Sequence, residues 1–281
     1  MRFLKRVLQF YVYSNIHVAL SGFAITLITL IHFKLPFNLL PVLVALAIII
    51  SYNFIRYYEI KTNKIAWFKR WFHKNKKLIF ILSVLALLAS FVIVFVEGVK
   101  LKSFLVIFPF TFITIFYVIP LKKNKQFEVS FRNFPSLKIF SIAIAWAGIT
   151  VFLPLTEANF AFNENVWIEF LQRIFFIIAI TLPFDIRDVI SDPKNLKTLP
   201  QVFGVKKSKI IGVISLLIFV FLEVLKTEFS LINFGVIVLI SIISGLFLIF
   251  STPEKSRYYT AFWVEAIPIF WLFLLWIFNF L

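Results

Sequence analysis

Residues 78–96 read LIFILSVLALLASFVIVFV, an apolar run without a single charge. As a helix it would rise roughly 28 Å, close to the hydrocarbon thickness of a bilayer. It offers no charged face to water, so the solvent it is built for is lipid. Further runs of similar character lie on both sides of it. They cover about Tyr11 to Phe33, Leu35 to Tyr57, Leu101 to Leu121, Lys138 to Leu155, Val166 to Phe184, Ser208 to Leu225, Leu231 to Phe250 and Ala261 to Phe280. With residues 78–96 they predict nine transmembrane helices and an all-α polytopic membrane protein, with residues 1–281 forming one integral membrane domain.

The composition agrees. Hydrophobic residues make up 61% of the chain and charged ones 15%, more apolar surface than one water-soluble core of this length could bury. The net charge of +16 does not point to nucleic acid, because Lys and Arg fall in short blocks between apolar runs. Anionic lipid headgroups and anionic ligands are the expected partners. The basic start, with Arg2, Lys5 and Arg6, runs into an apolar stretch too long for a signal-peptide core and without a small-residue cleavage site, which predicts a retained first helix. With no cysteine in the chain, disulfides, thiolate nucleophiles and Cys-ligated metals are excluded.

Basic residues also give an orientation. Counting from the N-terminus, alternate connections hold clusters: Arg56 to Lys77, Lys122 to Lys138, Arg187 to Lys209, then Lys255 and Arg257. The other connections hold few. The N-terminus is expected in the cytoplasm and the C-terminus on the opposite side. Between Tyr58 and Lys77, Trp67, Trp71 and Phe72 alternate with Lys69, Arg70 and Lys74, a mixture that predicts a short helix lying in the headgroup region.

The chemistry concentrates in residues 182–204, LPFDIRDVISDPKNLKTLPQVFG. Asp185, Asp188 and Asp192 stand at i, i+3 and i+7, so a continuing helix would project all three from one face. Like charges at that spacing call for a cation among them. Oxygen ligands suit Mg²⁺, which takes one or two carboxylates and completes its shell with water and phosphate oxygens. Arg187, Lys194 and Lys197 are near enough in sequence to meet the same phosphates. Pro193 disfavours helix at Asp192 and places the cluster where helix gives way to loop. The alternative is a solvated patch of mixed charge.

The pattern DIRDxxxD followed by KTLP and Gly204 resembles the second aspartate-rich motif of the UbiA superfamily of intramembrane prenyltransferases. Lys138 to Trp146, KIFSIAIAW, is similar to the start of that family's fifth helix. The expected helix number, with polar loops after the second and sixth spans, is also similar. The resemblance implies a UbiA-type helical bundle that transfers an isoprenoid chain from a prenyl diphosphate to a hydrophobic acceptor, often aromatic. Asp185, Asp188 and Asp192 would hold Mg²⁺, with Arg187 and Lys197 on the diphosphate. The family's first motif is matched less well. In residues 52–61, YNFIRYYEIK, Asn53 fits, but its aspartates are replaced by Tyr57 and Lys61, and Glu59 lies off the expected face. Arg56 and Lys61 could neutralise the diphosphate directly.

Glu265, in AFWVEAIPIFW, is an ionisable residue inside the ninth span and a functional candidate by default; Pro268 can kink the helix beside it. In the enzyme reading Glu265 helps select the acceptor. His17, His32 and His73 lack metal-ligand spacing and read as structural. Three functions stay open: a Mg²⁺-dependent prenyltransferase, a non-catalytic relative that binds prenyl lipids, and a small transporter.

Overall fold

The computed structural model describes residues 2–61, 66–116, 122–123, 128–129, 137–193 and 196–280. Ten α-helices dominate it: α1 (Arg2–Tyr13), α2 (Ile16–His32), α3 (Leu40–Lys61), α4 (Ala66–Glu97), α5 (Leu101–Phe116), α6 (Leu137–Glu157), α7 (Glu164–Asp188), α8 (Leu199–Val224), α9 (Leu231–Ile249) and α10 (Ile267–Phe280). A π-helical stretch, Tyr259–Val264, leads into α10, and a two-residue antiparallel ladder pairs β1 (Lys122–Lys123) with β2 (Glu128–Val129). The all-α expectation therefore holds in its main feature.

Among the described residues six helices are long and apolar enough to cross a bilayer: α3, α4, α6, α7, α9 and the Tyr259–Phe278 stretch. A seventh span results if α1 and α2 are taken together, although they meet at a 54° bend. The predicted fourth and seventh spans are helices too. However, α5 has 16 described residues, and α8 carries Lys206, Lys207 and Lys209 near one end and Glu223 near the other. The predicted separate headgroup helix is not what residues 66–77 form. They are the first turns of α4, which runs unbroken for 32 residues, about 48 Å and longer than the bilayer core. Phe72 is buried there and Trp71 packs beside it, while Lys69 and Arg70 face outward.

Most helices adjacent in sequence pack on each other, α4 and α5 excepted; α10 closes against α2 and α9, and α2 crosses to α6. The main core joins Ile25 and Ile28 of α2, Ala143 of α6, Phe176 and Leu182 of α7, Phe219 of α8, Ile237 of α9 and Trp271 of α10. Phe176, Phe219 and Trp271 meet with centroids 5.1 to 5.4 Å apart at tilted and edge-on angles, the favourable geometry for aromatic rings. Small residues admit close packing at two crossings: a side chain at Gly148 would strike the Phe110 ring, and one at Gly212 would strike Leu248 and Leu182.

Side chains of α2 add hydrogen bonds to two carbonyls at the π-helical turn and its C-terminal end. His17 Nε2 is 2.8 Å from the Phe262 carbonyl, and Ser21 Oγ donates to the Glu265 carbonyl. A carbonyl only accepts, so Nε2 carries the proton and Nδ1 accepts from the Tyr11 hydroxyl at 2.7 Å. His17 is thus a packing histidine, as its isolation in the sequence suggested.

Candidate functional site

A cavity of about 530 Å³ opens among α2, α3, α6, α7 and the π-helical turn. Each helix supplies a stripe at helical spacing: Tyr52, Ile55, Arg56 and Glu59 from α3; Lys138, Ser141, Ile142, Ala145 and Trp146 from α6; Ile177, Ile180, Thr181, Phe184, Asp185 and Asp188 from α7. Ala261, Val264, Glu265 and Pro268 form the wall at the C-terminal end of the chain. Along α7 the wall from Ile177 to Asp188 spans about 16 Å. One end of the cavity is charged and the other is apolar.

The charged end is built where α7 stops. Asp188 is the last residue of α7, and its carbonyl accepts from the amides of Ser191 (3.0 Å) and Asp192 (2.7 Å), which folds the chain back. The helix therefore ends about one turn earlier than a three-aspartate face requires, and Asp192 reaches the site from the turn. The KTLPQ run explains how that turn is held. Thr198 N donates to Gln201 Oε1 at 3.1 Å at the start of α8, and Gln201 Nε2 donates to the carbonyls of Asp192 (3.1 Å) and Pro193 (3.3 Å).

The aspartates are paired with cations of the chain itself. Lys138 Nζ lies 2.7 Å from Asp185 Oδ1 and 3.5 Å from Asp192 Oδ2. Asp188 receives a two-pronged contact from Arg187, Nε to Oδ1 at 2.8 Å and Nη2 to Oδ2 at 2.5 Å, the geometry that suits guanidinium and carboxylate. Arg187 also donates to Thr260 and lies 5.6 Å from the Phe184 ring centre. Across the cavity, Arg56 Nη1 is 3.4 Å from Glu59 Oε2, with its guanidinium 5.7 Å from the Phe68 ring centre. Arg257 completes the rim. Burial and the nearby Arg187 and Arg56 hold its guanidinium below the usual value, while Asp188 and Tyr13 oppose that shift. Three arginines thus converge on one opening.

Among the residues predicted from sequence, Asp185, Asp188, Asp192, Arg56, Arg187 and Glu265 all line this cavity. Asn53 is not on the wall. Its amide Oδ1 accepts from Asn15 Nδ2 at 2.8 Å and its Nδ2 donates to Ser83 at 3.1 Å, so it positions Asn15, which is on the wall. Lys61 and Lys197 are exposed and away from the wall residues. Lys194 lies outside the described residues. Glu59, which the motif spacing put off the face, is a buried wall residue. Lys138 and Arg257 are the cations missed as site residues; both stand at the start of apolar runs on the side where basic connections gather.

Asp185 is 1% exposed, and its Oδ2 has no hydrogen-bond partner. The lysine ammonium between Asp185 and Asp192 marks a place where the fold already accommodates a cation. Among the described residues no three His, Asp or Glu groups are arranged to hold a metal, and Lys138 is the cation that Asp185 and Asp192 share. No family model, curated protein or solved structure matches the chain.

Proposed function

We propose that the chain is an intramembrane prenyltransferase of the UbiA type, which binds a prenyl diphosphate in this cavity and transfers the isoprenoid chain to a hydrophobic acceptor. The observation that carries the reading is a single cavity with a charged rim and a largely apolar interior that follows α7 for about 10 Å, from Ile177 to Phe184. A diphosphate headgroup and a hydrocarbon tail require that combination, and the volume is in the range of small-molecule pockets.

The described cavity wall carries Arg56, Lys138, Arg187 and Arg257 against Glu59, Asp185, Asp188, Asp192 and Glu265, so its formal charge offers no excess of cations. A diphosphate bound there needs further positive charge. Asp185 and Asp192 would hold Mg²⁺ once Lys138 turns aside, with phosphate oxygens completing the shell. When bound, Mg²⁺ stabilises charge on the departing diphosphate. Arg56, Arg187 and Arg257 orient the phosphate oxygens. Tyr52 and Trp146, joined by an indole-to-hydroxyl bond of 3.2 Å, present aromatic rings to the wall where allylic cation character develops. The bond from C1 to the diphosphate oxygen breaks with its electron pair on oxygen; the acceptor bonds to C1 and gives up a proton. Glu265, on the cavity wall, offers a polar contact for the acceptor.

A second reading is favoured by the Lys138 ammonium. A built-in cation between Asp185 and Asp192 also suits a relative that binds prenyl lipids without turnover. Release of inorganic diphosphate from geranylgeranyl diphosphate, followed in nanodiscs with a panel of aromatic acceptors, separates the two. The enzyme reading predicts release that needs Mg²⁺ and falls at least a hundredfold in Asp185→Asn, by roughly the size of a lost charge-stabilising group. Binding with no release under any acceptor would favour the second reading.

A further inference from the structure

Helix α1 contributes little to the main core. Its sequence, RFLKRVLQFYVY, places Lys5, Arg6 and Gln9 within an arc of about 100°, with Phe3, Leu4, Val7, Leu8 and Phe10 on the remaining circumference. The apolar side is not covered by the bundle: Phe3 and Leu4 are 77% and 72% exposed, and Val7 and Leu8 are exposed as well. Lys5 and Arg6 are exposed on the other side. The helix contains no acidic residue.

The bend of 54° between α1 and α2 prevents both from following the bilayer normal. It is made at Asn15, in the left-handed region at φ 67°, and fixed by the Asn15–Asn53 bond. The last turn of α1 reaches the cavity. Val12 and Tyr13 line it, and Tyr13 stacks on Tyr258 at 6.1 Å and meets Trp71 and Phe68 edge-on at 5.2 and 5.7 Å.

We propose that α1 lies along the headgroup region of an anionic leaflet, apolar side toward the acyl chains and Lys5 and Arg6 toward lipid phosphates, and that this docking holds the cavity rim through Tyr13. The occupant of the exposed face is lipid. A polar side with cations and no acid, an apolar side of large residues and a position at the basic end of the bundle are the features of an interfacial helix. The inference is independent of the reaction proposed above.

The cysteine-free chain allows single labels. Nitroxides at Leu4→Cys, Lys5→Cys, Arg6→Cys and Leu8→Cys are compared in nanodiscs with and without phosphatidylglycerol, using collision with oxygen and with a water-soluble nickel chelate. In anionic discs, positions 4 and 8 are expected to be several-fold less accessible to nickel than 5 and 6, with oxygen showing the reverse. Removing anionic lipid, or adding Lys5→Glu with Arg6→Glu to a Leu4→Cys protein, is expected to raise nickel access at position 4 several-fold. Equal nickel access at all four positions would overturn the proposal, as would spin–spin broadening that shows the face packed on a second copy.

Discussion

Lys138 sits between two carboxylates, one of them almost fully buried, and its loss leaves charge uncompensated. Breaking such a pair from one side costs on the order of 3 kcal/mol, less where solvent reaches the partner. Lys138→Met is expected to lower the thermal unfolding midpoint of the purified protein and, at the same time, to enlarge its stabilisation by Mg²⁺, because ligand binding to the folded state adds stability by mass action. A variant that is destabilised yet no more responsive to Mg²⁺ than wild type would show that Asp185 and Asp192 form a salt-bridge site only. Asp185 and Asp188 were legible as candidates because they stand at i, i+3 at the end of an apolar run, and both line the cavity. Lys138 was harder to read as their partner, since 47 residues separate it from Asp185 and only the packing of α6 on α7 brings the two together.

At the scale of elements, helix rotation was the least legible feature. The spacing of residues 52–61 shows which side chains share a face, but not which neighbour that face meets. Asn53 bonds to Asn15 and Ser83, which turns Tyr52, Ile55, Arg56 and Glu59 toward the cavity and leaves Lys61 outside. The kink in α8 at Gly204 was not read from the sequence, where Gly204 figured only as the end of the KTLP pattern. Gly204, which follows the KTLP run, adopts φ 81° and ψ 159° within α8, a conformation that side chains other than glycine rarely adopt. Gly204→Ala is expected to cost about 1 to 2 kcal/mol and to loosen the turn that carries Asp192, read as a lower midpoint together with weaker prenyl diphosphate binding. Gly148→Leu should separate α5 from α6 by pushing on the Phe110 ring, at a cost of about 1 to 3 kcal/mol, measured by unfolding in detergent.

Across the whole molecule, two charged regions lie at opposite ends of α7, with Glu169 about 24 Å from Asp185. At the end away from the cavity rim, Glu169 meets Arg173 (2.5 Å), Lys226 (2.7 Å) and His32 (3.1 Å), and Lys226 also meets Glu223 at 2.7 Å. Arg173 further donates to the Ile25 carbonyl at 2.7 Å and lies over Trp271 at 5.3 Å. This network ties α2, α7, α8 and α10 together. Burial opposes the Lys226 ammonium, but Glu169 and Glu223 outweigh it and raise its pKa. Its contribution is therefore full at neutral pH and lost only as pH rises through that raised value. Glu169→Leu leaves the buried Arg173 without its carboxylate and Lys226 with Glu223 alone, and is expected to destabilise the protein by about 3 to 5 kcal/mol, seen in thermal unfolding, while diphosphate release per folded molecule changes little. Equal loss of release at permissive temperature would mean that the two ends are coupled.

The central claim is that one cavity holds both the charged head and the apolar tail of a prenyl diphosphate. The direct measurement is photocrosslinking in nanodiscs with a prenyl diphosphate that carries a diazirine near the end of its chain, with adducts mapped by peptide mass spectrometry. The account predicts adducts on the interior walls of α6 and α7, at Ile142, Ala145, Ile177 and Ile180, which excess unlabelled prenyl diphosphate removes and Asp185→Asn weakens. Adducts confined to lipid-facing residues such as Leu85, Phe91 and Phe95, unchanged by competitor, would contradict it.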